Sequence, residues 1–94
     1  MRFTAQRGRG EELAAILLEA AAGVQGDEDC LLYIVSRAPG EPDTIYVTEA
    51  WTSREAHDRS LEDESARALI ARAMPLMAAP PDGATLSPVG GKGL

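Results

Sequence analysis

Six consecutive residues, Cys30-Leu31-Leu32-Tyr33-Ile34-Val35, are all apolar or aromatic. A strand shows its side chains to two faces alternately, so both faces of this one need cover. The turn-forming stretch Ala38–Asp43 follows, with Pro39, Gly40 and Pro42. Thr44–Trp51 then alternates: Ile45, Val47, Glu49 and Trp51 share one face, and Tyr46, Thr48 and Ala50 the other. The two runs read as a hairpin around which the rest of the chain must arrange itself.

Met1–Gln6 alternates weakly and predicts a short first strand, broken by Gly8-Arg9-Gly10. Leu13, Ile16, Leu17, Ala20 and Val24 then form the apolar stripe of a helix ending near Gly23 or Gly26. After the hairpin, Thr52-Ser53-Arg54-Glu55 fits a capping box with Thr52 as N-cap, opening a short helix to about Ser60. Leu61–Glu64 reads as an acidic break. Ser65 starts a longer helix with Ala66, Leu69, Ile70, Ala73, Met74 and Met77 on one face, kinked or ended by Pro75. Ala84–Val89 predicts a weak last strand, followed by a flexible glycine-rich tail.

The order βαββαβ predicts one α+β domain over residues 1–94, of the ferredoxin-like kind. Its four-stranded antiparallel sheet carries both helices on one face. Helices then cover only one side of Cys30–Val35. A chain of 94 residues has a marginal core. A second copy is the simplest cover for the other side, so a homodimer is expected.

Composition narrows the function. Fifteen acidic against nine basic residues give a net charge of −6, which argues against a nucleic-acid partner. The apolar stretches fall far short of the ~20 residues that span a bilayer, so no membrane partner is expected. Met1-Arg2-Phe3 leads into mixed polar residues, and no secretory leader is read there. One cysteine, Cys30, and one histidine, His57, do not make a structural zinc site. A lone cysteine fits a reducing cytoplasm, the expected location.

The stretch Ile45-Tyr46-Val47-Thr48-Glu49-Ala50-Trp51-Thr52-Ser53-Arg54-Glu55-Ala56-His57 resembles the signature of the antibiotic biosynthesis monooxygenase family. In that signature a strand ends in Glu-x-Trp before a Ser-x-Glu-Ala-His helix start. Gly8-Arg9-Gly10-Glu11-Glu12-Leu13 and Cys30-Leu31-Leu32-Tyr33 resemble two further family segments, although Asp29 stands where glycine is usual. The resemblance implies a dimeric α+β barrel with a pocket between sheet and helices. It also implies oxidation of a phenolic, quinol or aromatic polyketide-like small molecule by oxygen, without metal or flavin. Polyketide-oxidising relatives carry asparagine where this chain has Val47, and often tyrosine where it has His57. The haem-degrading branch needs a histidine on the last helix. Ser65–Met77 has none, so haem degradation is not expected.

The candidate catalytic residues are Trp51 and His57. The Trp51 indole can stack on a flat substrate and donate a hydrogen bond, or simply fill the core of an aromatic-poor chain. His57 can take a phenolic proton as general base, or face solvent on a helix turn. The candidate substrate-binding residues are Tyr33, Glu49, Arg72 and Met74. Glu49 needs a partner if its face is buried, and otherwise makes a structural ion pair. Tyr33 can donate to a ligand oxygen or pack at an interface. Arg72 can hold an oxyanion or remain a solvated helix charge. Met74 fits an adaptable pocket wall or a core stripe. Cys30 lies among Asp27, Glu28 and Asp29, which disfavours a thiolate. The alternative to an enzyme is a non-catalytic dimeric module of the same fold that binds a small molecule. Val47 favours that alternative, while the Glu49–Trp51–His57 spacing favours catalysis.

Overall fold

Three antiparallel strands carry the sheet of the computed structural model, which describes residues 1–94: β1 (Arg2–Thr4), β2 (Cys30–Arg37) and β3 (Thr44–Trp51). The hairpin forms as its alternation requires, with Tyr33 opposite Glu49, Val35 opposite Val47 and Arg37 opposite Ile45. β1 lies on the other side of β3, with Phe3 opposite Ile45. β1 and β2 therefore run parallel with β3 between them, the split βαβ arrangement.

The expected last strand at Ala84–Val89 is absent, and residues 84–94 hold no regular strand or helix. An earlier segment takes the place beside β1. Isolated bridges join Ala5 to Met77 and Arg2 to Asp82, and the Arg2 side chain reaches Asp82 at 2.6 Å. Pro80 and Pro81 lie in this segment and lack the N–H groups a continuous ladder needs. That leaves bridges where a fourth strand was expected.

Helix α1 (Gly10–Gly23) buries Leu13, Ala14, Ile16 and Leu17. Arg9 offers no side-chain cap. Instead Asp43, from the turn before β3, accepts from Gly8 N and Gly10 N, each at 3.0 Å. A Cβ on Gly10 would run into the Pro42 carbonyl and the Asp43 backbone, so glycine is what lets the helix end dock on that turn.

Helix α2 (Arg54–Ser60) is capped by Ser53, whose Oγ accepts from Ala56 N at 3.1 Å. Thr52 was the expected cap, but its hydroxyl donates to Asp29 Oδ1 at 2.8 Å and closes the sheet end. Helix α3 (Glu64–Ala73) starts one residue before the expected Ser65 and is capped by Asp63. It runs into a 3₁₀ turn, Met74–Leu76, where Pro75 ends the regular helix.

The core lies between the sheet and the helices, formed by Ala5, Leu13, Ile16, Leu17, Ile45, Val47, Ala73 and Leu76 with smaller neighbours. Only Leu13 and Ile45 are completely buried among its larger side chains. The opposite face of the sheet, with Leu32, Ile34, Tyr46, Thr48 and Ala50, carries no helix. Ile34 is 51% exposed there.

One irregularity shifts a prediction. The ladder steps from Cys30–Trp51 to Leu32–Ala50, so β2 holds one extra residue, Leu31. Such a bulge moves the residue before it to the other face. Strict alternation puts Cys30 with Leu32 and Ile34; the bulge puts it opposite Trp51, on the helix side.

Candidate functional site

Tyr33, Glu49 and Trp51 share the helix side of the sheet because β3 alternates and Tyr33 pairs with Glu49. Ser53 starts α2 directly after β3 and brings His57 back over Trp51. The two rings meet edge to face, with centroids 5.6 Å apart and planes at 77°. Trp51 Nε1 donates to Glu49 Oε1 at 2.9 Å, and His57 Nε2 lies 3.7 Å from the same oxygen. The other imidazole nitrogen, Nδ1, lies 3.1 Å from Asp58 Oδ1. His57 thus sits between two carboxylates. A neutral ring can donate to only one of them, an imidazolium to both.

The Glu49 side chain is only 21% exposed, so its charge is partly desolvated, and the Trp51 N–H is its one hydrogen-bond donor. Burial, with the Glu49 charge behind it, pushes the Tyr33 phenol up to about 12. Burial first, then the Glu49 and Asp27 charges, push the Cys30 thiol up as well. Cys30 is thus an unactivated thiol in this cluster.

The two remaining expected binding residues lie elsewhere. Arg72 is held by both oxygens of Glu19 on α1, at 2.8 and 3.1 Å. It borders a surface hollow of about 420 Å³ with Glu12, Ala15, Ile16 and Leu76. Met74 is 66% exposed at the end of α3. Neither joins the cluster around Glu49. Two neighbours of that cluster escaped the sequence reading. Asp58 follows His57 directly, and a titratable residue beside the only histidine was the available signal. Cys30 joins through the bulge, which leaves no mark in the residue pattern. Val47 is 3% exposed in the core, so the place where relatives carry asparagine presents no polar group here.

Among the histidine, cysteine and acidic side chains, no group of three or more is arranged to hold a metal ion. No helix is long and apolar enough to cross a membrane.

Fold and cluster together define a βαββαα domain whose sheet end carries a tryptophan, a carboxylate and a histidine. The chain belongs to the antibiotic biosynthesis monooxygenase family, whose model matches residues 1–72. A solved structure from Chloroflexus aurantiacus J-10-fl, named as a candidate antibiotic biosynthesis monooxygenase, is 39% identical with a TM-score of 0.83. That match covers 98% of this chain and 91% of the other. A second so named, from Caulobacter crescentus CB15, is 25% identical with a TM-score of 0.75, covering 83% of this chain and 74% of its own. One from Nitrosomonas europaea shares the fold at 12% identity, with a TM-score of 0.88 over 98% of this chain and 88% of its own. No curated protein matches the chain.

Proposed function

We propose that this protein is a cofactor-independent monooxygenase that oxidises a phenolic, quinol or aromatic polyketide-like small molecule with oxygen. The observation that carries the reading is the Trp51–Glu49–His57 cluster: an indole fixed by a carboxylate, beside an imidazole facing the same oxygen. Trp51 supplies a flat wall for an aromatic ring. Glu49 and His57 are the groups able to handle its proton. An aromatic ring that loses its phenolic proton becomes electron-rich enough to reduce oxygen. When a ring CH₂ is oxidised to C=O, one oxygen atom enters the product and the other leaves as water.

The functional unit we propose is a homodimer of one domain, residues 1–94, residing in the cytoplasm. Its second copy covers the Leu32–Ile34–Tyr46 face. Two considerations support that occupant: only eleven of 94 residues are buried in one chain, and the uncovered face is apolar. Neither nucleic acid nor a membrane enters this proposal.

Oxygen uptake tests the activity. Metal-free protein is expected to consume oxygen with hydroquinones or anthrones, and a His57→Ala variant to consume it more slowly. Uptake no faster than in buffer, for both proteins across the panel, would end the enzyme reading. The alternative, a module that binds a small molecule without turning it over, draws on the apolar Val47 in the core. It predicts binding without uptake.

A further inference from the structure

The hydrogen-bonding capacity around Glu49 is unevenly used. Oε1 accepts the Trp51 indole N–H and faces His57 Nε2, while Oε2 bonds to no side chain. The Tyr33 hydroxyl, directly across the ladder, bonds to none either. No buried polar side-chain atom lacks a partner, so both atoms remain within reach of solvent. Residues opposite each other in a ladder place their Cβ atoms ~5 Å apart on one face. One open acceptor, on Glu49, and one open donor, on Tyr33, therefore belong to facing residues on the helix side of the sheet.

A phenol hydroxyl complements that pair, because its O–H donates and its oxygen accepts. An anionic aromatic does not. Arg72 is held by Glu19, Arg59 by Asp29 and Arg54 by Asp58, so these guanidinium groups have carboxylate partners of their own. The one cationisable side chain in the cluster, His57, already faces Glu49 and Asp58. Cys30 and Tyr33 add no positive charge.

Resting on the oxidation proposed above, we infer that the ligand enters as a neutral phenol and that Glu49 Oε2, rather than His57, receives its proton. Tyr33 donates to the oxygen that loses it. In this step the ligand O–H bond breaks, a new O–H bond forms on Oε2, and the electron pair stays on the phenol oxygen. The Trp51 N–H holds Oε1, and His57, edge-on to the indole and 3.7 Å from the same oxygen, is a positioning residue for that pair, leaving Oε2 turned to the ligand. The ordinary base in such a cluster is the histidine, so the assignment differs from what the residue types alone suggest.

Trp51 is the only tryptophan, so quenching of its fluorescence reports ligand binding at this site without turnover. The probes are 4-nitrophenol, 4-nitroanisole (the same ring without the O–H) and 4-nitrobenzoate, at mildly acidic pH where the phenol is neutral. The phenol is expected to bind wild-type protein roughly tenfold more tightly than the anisole, the scale of one hydrogen bond to a charged group. Benzoate is expected to bind more weakly than the phenol. Equal affinity for phenol and anisole, tighter binding of benzoate, or no quenching by any probe overturns the inference.

In folded Glu49→Gln protein, whose amide oxygen still accepts but carries no charge, the preference for phenol over anisole is expected to shrink; an undiminished preference overturns the inference. His57→Ala is expected to lower oxygen uptake, with His57→Gln, which keeps an N–H donor, restoring part of it. Full loss in both variants, with Glu49→Gln still active, overturns it too. Phenol selectivity without oxygen uptake supports the binding assignment while removing the oxidation reading. Uptake that survives Glu49→Gln at the wild-type rate does the reverse.

Discussion

The indole N–H of Trp51 donates to Oε1 of Glu49 at 2.9 Å, across two positions of the same strand. The bond fixes the ring plane and occupies one carboxylate oxygen. Trp51→Phe keeps an aromatic wall but removes the donor. Oxygen uptake with hydroquinone is expected to fall by roughly tenfold, the scale of one charge-assisted hydrogen bond. A variant as active as wild type would show that the ring alone matters.

Tyr33 is expected to ionise near 12 in the folded protein, against an ordinary value of 10.0, because burial and then Glu49 disfavour the phenolate. The sign follows from linkage. A phenol whose folded value is raised stabilises the fold fully below about 10, and that contribution is lost as pH climbs from 10 towards 12. Ultraviolet titration of the tyrosines in wild type and in Glu49→Gln checks the cause: removing the charge is expected to bring Tyr33 down. Denaturant midpoints measured across the same interval are expected to fall for wild type.

Asp43 caps a helix it does not belong to, accepting from Gly8 N and Gly10 N. Asp43→Ala leaves two donors at the head of α1 without this partner. A loss of about 1–2 kcal/mol in urea unfolding is expected, the upper part of the range for cap removal. Gly10→Ala is expected to be at least as harmful, because the added carbon meets the Pro42 carbonyl.

Ile45 is completely buried, between Arg37 on β2 and Phe3 on β1. Ile45→Ala is expected to cost about 2–5 kcal/mol, from lost burial and the cavity left behind. Thermal unfolding followed by circular dichroism measures it. A loss below 1 kcal/mol would mean that the sheet closes over the gap.

Ile34 stands half exposed on the helix-free face of the sheet. Light scattering of wild type at micromolar concentration is expected to give about twice the 10.0 kDa of one chain, and Ile34→Glu about one. A wild-type mass near that of one chain removes the dimer.

The hairpin and the first helix were legible because their patterns are strong and their partners local. Alternation in Thr44–Trp51 placed Ile45, Val47, Glu49 and Trp51 together, and the ladder keeps them so. The cap of α2 falls one residue later than the capping-box pattern predicts, since Thr52 and Ser53 are both capable caps and a tertiary contact, Asp29, takes the Thr52 hydroxyl. The last strand was misplaced because its neighbour is decided by where the chain returns past Pro75, which no local pattern records. Arg72 looked free in sequence, but its partner Glu19 lies 53 residues away on another helix.

The single extra residue in β2 separates two design problems that a regular strand would couple. Beyond Leu31 the strand faces keep the phase set by the core, while Cys30 follows the phase of Trp51. Deleting Leu31 would leave a regular ladder in which Cys30, now next to Leu32, still stands opposite Trp51, with Tyr33 and Val35 undisturbed. A change of length at this one position is therefore absorbed where it occurs, and neither the cluster nor the interior that keeps the chain folded has to move with it.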